Sequence, residues 1–107
     1  MFIAYEVSLE AIKSLRVVVP HIERHDRDLA DQIRRAASSV TLNLAEGQRL
    51  TKGNKPKHYA IAHGSANEVR AGIMTALAWG WIEDATEALA VLDRLLALLW
   101  RLTHPQS

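Results

Sequence analysis

At 107 residues and 49% apolar, the chain is long enough for one domain with one core and too apolar for a disordered segment. Ala and Leu dominate over Gly, Pro and aromatics, which favours helices. The absence of cysteine excludes disulfide frameworks, thiolate metal sites and cysteine nucleophiles, and a net charge of +1 excludes a polycation.

The opening stretch MFIAYEVSLE lacks the basic start and apolar core of a signal peptide. The apolar run LLALLW at Leu95–Trp100 is too short to span a membrane. A soluble cytoplasmic protein with a single domain over residues 1–107 is expected.

The first helix is predicted over residues 5–19. Val7, Ala11, Ile12, Leu15, Val18 and Val19 recur at helical spacing, and Pro20 is expected to end the segment. The second is predicted over 28–47, with Asp28 as N-cap and Asp31 in its first turn. Its apolar stripe is Leu29, Ile33, Ala36, Ala37, Val40 and Leu44, and Gly47 is expected to stop it to within a turn. A polar connector follows, with Gly53-Asn54 as its turn signal. The third helix, over 56–80, opens on Pro56, which suits a first turn, and closes on Gly80. Its stripe is Tyr59, Ala62, Ala66, Val69, Ile73 and Leu77.

The fourth helix, over 85–102 with Asp84 as its cap, is apolar over too much of its surface. Leu89, Leu92, Leu96 and Leu99 make one stripe; Val91, Leu95, Leu98 and Leu102 make a second, turned by about 100°. A helix in a four-helix bundle buries one stripe. The second is expected to be covered by another subunit, or else the helix is central to its own bundle. Small residues behind the other helices (Ser38 and Ala45 beside Leu42, then Gly64, Ala71 and Ala78) also favour self-association.

The stretch RRAASSVTLNLAEG carries polar residues inside a helix, where Ser, Thr and Asn compete with the backbone for hydrogen bonds. Advancing about 100° per residue collects Gln32, Ser39, Asn43 and Glu46 on one flank, with Arg35 further round. Ser65, Glu68, Gly72 and Thr75 gather on the corresponding flank of the third helix. A short connector makes the two helices antiparallel neighbours, so the flanks should meet. Arg35 is expected near Glu68, Ser39 near Ser65, and Asn43 and Glu46 near His58 and Tyr59. Such a strip is a register-setting network, an intersubunit seam or a ligand site.

Catalytic and metal motifs are wanting. No Glu-x-x-His pair of a di-metal bundle occurs, and GSAN lacks the flanking glycines of a nucleophile elbow. GQRLTKGNK lacks the spacing of a phosphate loop. The expectation is a non-enzyme with no metal and no cofactor. Between Gly47 and Asn67 the chain has no acid, but it has Arg49, Lys52, Lys55 and Lys57. These four are the candidate phosphate contacts, and repetition around a ring would multiply them.

The order RRAASSVTLNLAEG, polar turn, AIAHGSANEV resembles the four-helix-bundle family named after the 23S rRNA intervening-sequence protein. That family reads QIRRAA-S-I-N-AEG in its second helix and A-GS-E in its third. Here Gln32, Ile33, Arg34, Arg35, Ala36, Ala37, Ser39, Asn43, Ala45, Glu46 and Gly47 match the first motif. Ala62, Gly64, Ser65 and Glu68 match the second. Trp81 stands where an aromatic is common, and the connector with Asn54 and Pro56 departs from the usual run. The resemblance implies an antiparallel up-down all-α bundle assembling as a ring, a homopentamer. The chain also looks like accessory proteins of diversity-generating retroelements, which work with a reverse transcriptase and bind nucleic acid through basic surfaces. The expected function is therefore non-catalytic binding of RNA or DNA by an oligomer. The alternative is a protein–protein adaptor, for instance for a reverse transcriptase, with no direct nucleic-acid role. Leu42, Ala45, Val91, Leu95, Leu98 and Leu102 are the expected subunit contacts.

Overall fold

A computed structural model describes residues 2–50 and 53–105. It has four helices: α1 (Ile3–Glu23), α2 (Arg27–Arg49), α3 (Lys55–Trp79) and α4 (Thr86–Thr103). No strand occurs among the described residues. The molecule measures 43 × 21 × 21 Å, close to the length of one long helix and the width of two. α2 packs on α1 and α3, and α4 packs on the same two, so the helices close around a single core. Ile22, Ile33, Leu44, Ile73, Leu92 and Leu99 are among its fully buried side chains. Each contributes about 1.5–3 kcal/mol by leaving water.

α1 does not stop at Pro20 but continues one more turn to Glu23. Proline removes the N–H that would bond the Arg16 carbonyl. Arg16 and Pro20 both lie on the exposed face, where water can replace that bond. Ile22, wholly buried one turn-fraction later, holds the final turn against the core. Tertiary burial thus outweighs a local breaker.

The cap of α2 is Asp26 rather than Asp28. Asp26 is extended, at φ −151°, and its carboxylate accepts the Leu29 N–H at 2.9 Å. Asp28 instead places a negative charge in the first turn, where the helix dipole favours it. α2 ends at Arg49, and Gly47 does not cap it. A Cβ on Gly47 would lie 2.5 Å from Tyr59 Cε1, so this glycine exists to let α3 approach. Gly72, expected on a polar flank, is buried for the same reason: its added Cβ would lie 2.7 Å from Ile33 Cγ1. The two other turn glycines act by conformation. Gly53 at φ 72° serves the connector, and Gly80 at φ 78° closes α3.

α4 starts at Thr86. Asp84 accepts that residue's N–H at 2.9 Å and its hydroxyl at 2.6 Å, which holds the Asp84 carboxyl below the usual carboxylate range. The buried line of α4 is Ala88, Leu92, Leu95 and Leu99, running between the two stripes read from the sequence. Leu89 and Leu96 on one side, and Val91, Leu98 and Leu102 on the other, are partly buried against the same core. The two stripes are therefore one wide face, and the chain itself covers much of it.

Candidate functional site

The polar flanks of α2 and α3 meet. As α2 advances, its α3 partners recede: Gly72 lies over Ile33, Ser65 over Ser39, His58 beside Asn43 and Tyr59 beside Gly47. Ser65 donates to Ser39 Oγ at 2.9 Å, and the Asn43 amide donates to the same oxygen at 3.1 Å and to the Ser39 carbonyl at 2.9 Å. The Asn43 amide oxygen then faces His58 Nδ1 at 2.9 Å, so that nitrogen must carry the proton. His58, Asn43, Ser39 and Ser65 form one half-buried chain that bridges the two helices twice. A slip of either helix would break every bond in it at once.

Several residues expected in this strip stand outside the chain of bonds, Arg35, Glu68 and Glu46 among them. Arg35 and Glu68 are exposed and form no ion pair with each other among the described residues. It is the neighbouring Arg34 that crosses between helices, to Glu23 of α1, while also reaching Asp31 at 3.2 Å. One residue step rotates a side chain by about 100°, which carries Arg34 to the α1 side and leaves Arg35 facing outward. Glu46 turns along its own helix to Arg49, at 2.9 Å, and not across to α3.

That pairing alters the basic turn. Arg49 is three-quarters exposed but already neutralised by Glu46. Lys55 sits with its ammonium 5.9 Å from the Tyr59 ring centroid, at the outer limit of a cation–π contact. Lys57 is exposed and makes no ion pair among the described residues. Lys52 lies outside the described residues. The described cations of the set all fall at the end of the bundle where α2 ends and α3 begins.

Of the expected subunit contacts, Leu42 is 68% exposed and Ala45 half-buried. Val91, Leu98 and Leu102 are half-buried against their own core. Leu95, at 1% exposure, is a core residue and is removed from that set. Its inward position follows from the buried line of α4 running between the two apparent stripes. Gly64 is exposed, and an added Cβ there would meet nothing within 4 Å, so no contact inside the chain requires glycine.

Other features had little signal in sequence. Ser8 is the one buried polar side chain among the described residues; it donates to the Tyr5 carbonyl at 2.6 Å and accepts from Thr41 of α2 at 3.2 Å. Ile61, exposed on α3, lies off the stripe of Tyr59, Ala62 and Ala66. No helix among the described residues is long and apolar enough to cross a membrane. Nor do the described residues bring together three or more side chains of metal-ligating type.

No curated protein and no solved structure is significantly similar to the chain. A family model does match, over residues 3–101, which takes in all four helices almost to the end of α4. With both motifs in register along the α2–α3 seam, the chain belongs to the 23S rRNA-intervening sequence protein family.

Proposed function

We propose that this protein is a non-enzymatic, cytoplasmic, antiparallel up-down bundle that self-associates into a ring and binds RNA or DNA through the α2–α3 turn. The resemblance implies a homopentamer. The observation that carries the binding reading is the segregation of charge. Arg49, Lys55 and Lys57 gather at one end of the molecule, in a stretch from Gly47 to Asn67 that contains no acid. One such turn is a weak phosphate site, because Arg49 is shared with Glu46. Several turns on one rim of a ring would act together. Self-association is supported by Leu42, exposed mid-helix, and by Gly64, which the chain's own packing does not explain.

The test is binding of a single-stranded RNA and of a duplex DNA across a salt series. Affinity is expected to fall steeply with salt. Replacing both lysines, Lys55→Glu with Lys57→Glu, should lower the slope by about 1.4–1.8 if each touches one phosphate. Binding indifferent to salt and to both charges would refute this reading. The second reading, an adaptor that docks a protein such as a reverse transcriptase, draws on the exposed aromatic and apolar side chains remote from the basic turn, Trp79 and Val17 among them.

A further inference from the structure

The far end of the bundle is different in kind. There α1 ends, α2 begins, α3 ends and α4 begins. Three rings stack in series: His25 on Trp81, with centroids 5.8 Å apart and planes 2° apart, then Trp81 on Trp79, at 5.6 Å and 11°. Trp79 ends the stack and is 69% exposed. Beside the stack lies an open groove of about 390 Å³, lined by Val17, Val18, Trp81, Ile82, Glu83 and Asp84, among others. Val17 is 73% exposed. Large apolar side chains left in water next to a groove mark an interaction surface more often than scattered single ones do.

The charge at this end is opposite to that at the α2–α3 turn. Where α3 ends and α4 begins, from Ala71 to Val91, the chain has three acids, Glu83, Asp84 and Glu87, and no Lys or Arg; Asp93, further along α4, is taken up by Arg70 at 2.8 Å. Asp26 and Asp28 at the start of α2 add to them, against Arg24 and Arg27. Arg24 is itself bonded to His21 Nδ1, at 3.0 Å.

We propose that this end docks a basic segment of a partner protein, one that carries arginine or lysine beside a large apolar side chain. The proposal is independent of nucleic-acid binding and gives the adaptor reading, on which it rests, a surface. A guanidinium lies flat on an indole face and pairs with a carboxylate; this end of the bundle exposes the Trp79 indole and, at the groove, the Glu83 carboxylate. The apolar side chain takes the groove between Val17 and Ile82, a volume in the range of small-ligand sites. Nucleic acid is the wrong occupant, because its phosphates would face carboxylates. The basic turn of a second copy fits less well: its large apolar side chain, Leu50, is half-buried at the end of α2, and the Arg49 beside it is held by Glu46.

The experiment uses the full chain and a fluorescein-labelled peptide, Gly-Arg-Leu-Arg-Arg-Leu-Arg-Gly, read by anisotropy. Saturable binding is expected, weaker for a peptide with Ser in place of both leucines. Trp79→Ala and, separately, Glu83→Lys should each weaken it by about tenfold or more, as truncation of an interface anchor does. Both sites are exposed, so an unchanged helical circular dichroism signal is expected in both variants. Lys55→Glu with Lys57→Glu should leave peptide binding unchanged. Loss of RNA binding in that variant, with peptide binding retained, separates the two surfaces. No saturable binding, or binding insensitive to both Trp79 and Glu83, overturns the proposal. So does competition by an oligouridine for the same site, or self-association that Glu83→Lys abolishes while the peptide fails to bind.

Discussion

Gly72→Ala tests the packing of α2 on α3 most directly. Gly72 lies in the interior of α3, where exchanging glycine for alanine would ordinarily gain about 1 kcal/mol of helix propensity. The new Cβ would lie 2.7 Å from Ile33 Cγ1 and 3.0 Å from its Cδ1. Ile33 is 1% exposed, and its β-branch leaves few alternative rotamers, so it cannot swing into solvent. Forcing it aside costs about 1–3 kcal/mol. The net expectation is a loss of about 0–2 kcal/mol, a fall in Tm of up to roughly 15 °C for a domain of this size. Gly64→Ala is the control on the same helix, since its Cβ meets nothing within 4 Å. In the monomeric protein at high dilution it should gain about 0.5–1 kcal/mol. Urea unfolding followed by circular dichroism measures both. A Gly72→Ala protein as stable as its Gly64→Ala counterpart would refute the claim that close helix approach, rather than chance, requires glycine at position 72.

Other expectations bear on the seam, the assembly and the chemistry of Tyr59. Ser39→Ala removes the oxygen that accepts from both Ser65 and Asn43, and should cost about 1–2 kcal/mol by denaturant titration. Glu68→Ala, with no ion pair to lose among the described residues, should change stability by no more than about 0.5 kcal/mol. A larger loss in the dissociated chain would show that Glu68 has a partner after all. Light scattering at micromolar concentration should give a mass several times that of one chain, and Leu42→Glu should reduce it; a monomer in the unaltered protein removes the ring. Burial raises the Tyr59 phenol above its ordinary value of 10.0. The folded state thus holds that proton more tightly than the unfolded state. Its contribution is complete below the ordinary value and is lost as pH rises through the folded value. Alkaline unfolding should therefore be less steep in Tyr59→Phe, which has no phenol to ionise.

The sequence by itself determined the elements whose causes are local. Four apolar stripes of helical period, Pro56 at an opening turn, and Gly53 and Gly80 at positive φ are properties of short windows, and a wheel exposes them. The meeting of Ser39 with Ser65 and of Asn43 with His58 also follows, because a short connector leaves two neighbouring helices one register. Tertiary structure decided whatever depended on a distant surface. It carried α1 through Pro20, since the burial of Ile22 outweighs one missing backbone bond. It made Gly47 and Gly72 spacers under Tyr59 and Ile33 rather than a stop signal and a polar-flank residue. It sent Arg34 to Glu23 and left Arg35 outside, a difference of one residue's rotation. It drew Leu95 into the core and placed Trp79, Trp81 and His25 in one stack. A helical wheel gives the direction of each side chain about its own axis. What stands in that direction is set by how the four axes pack, and no single window of sequence contains that.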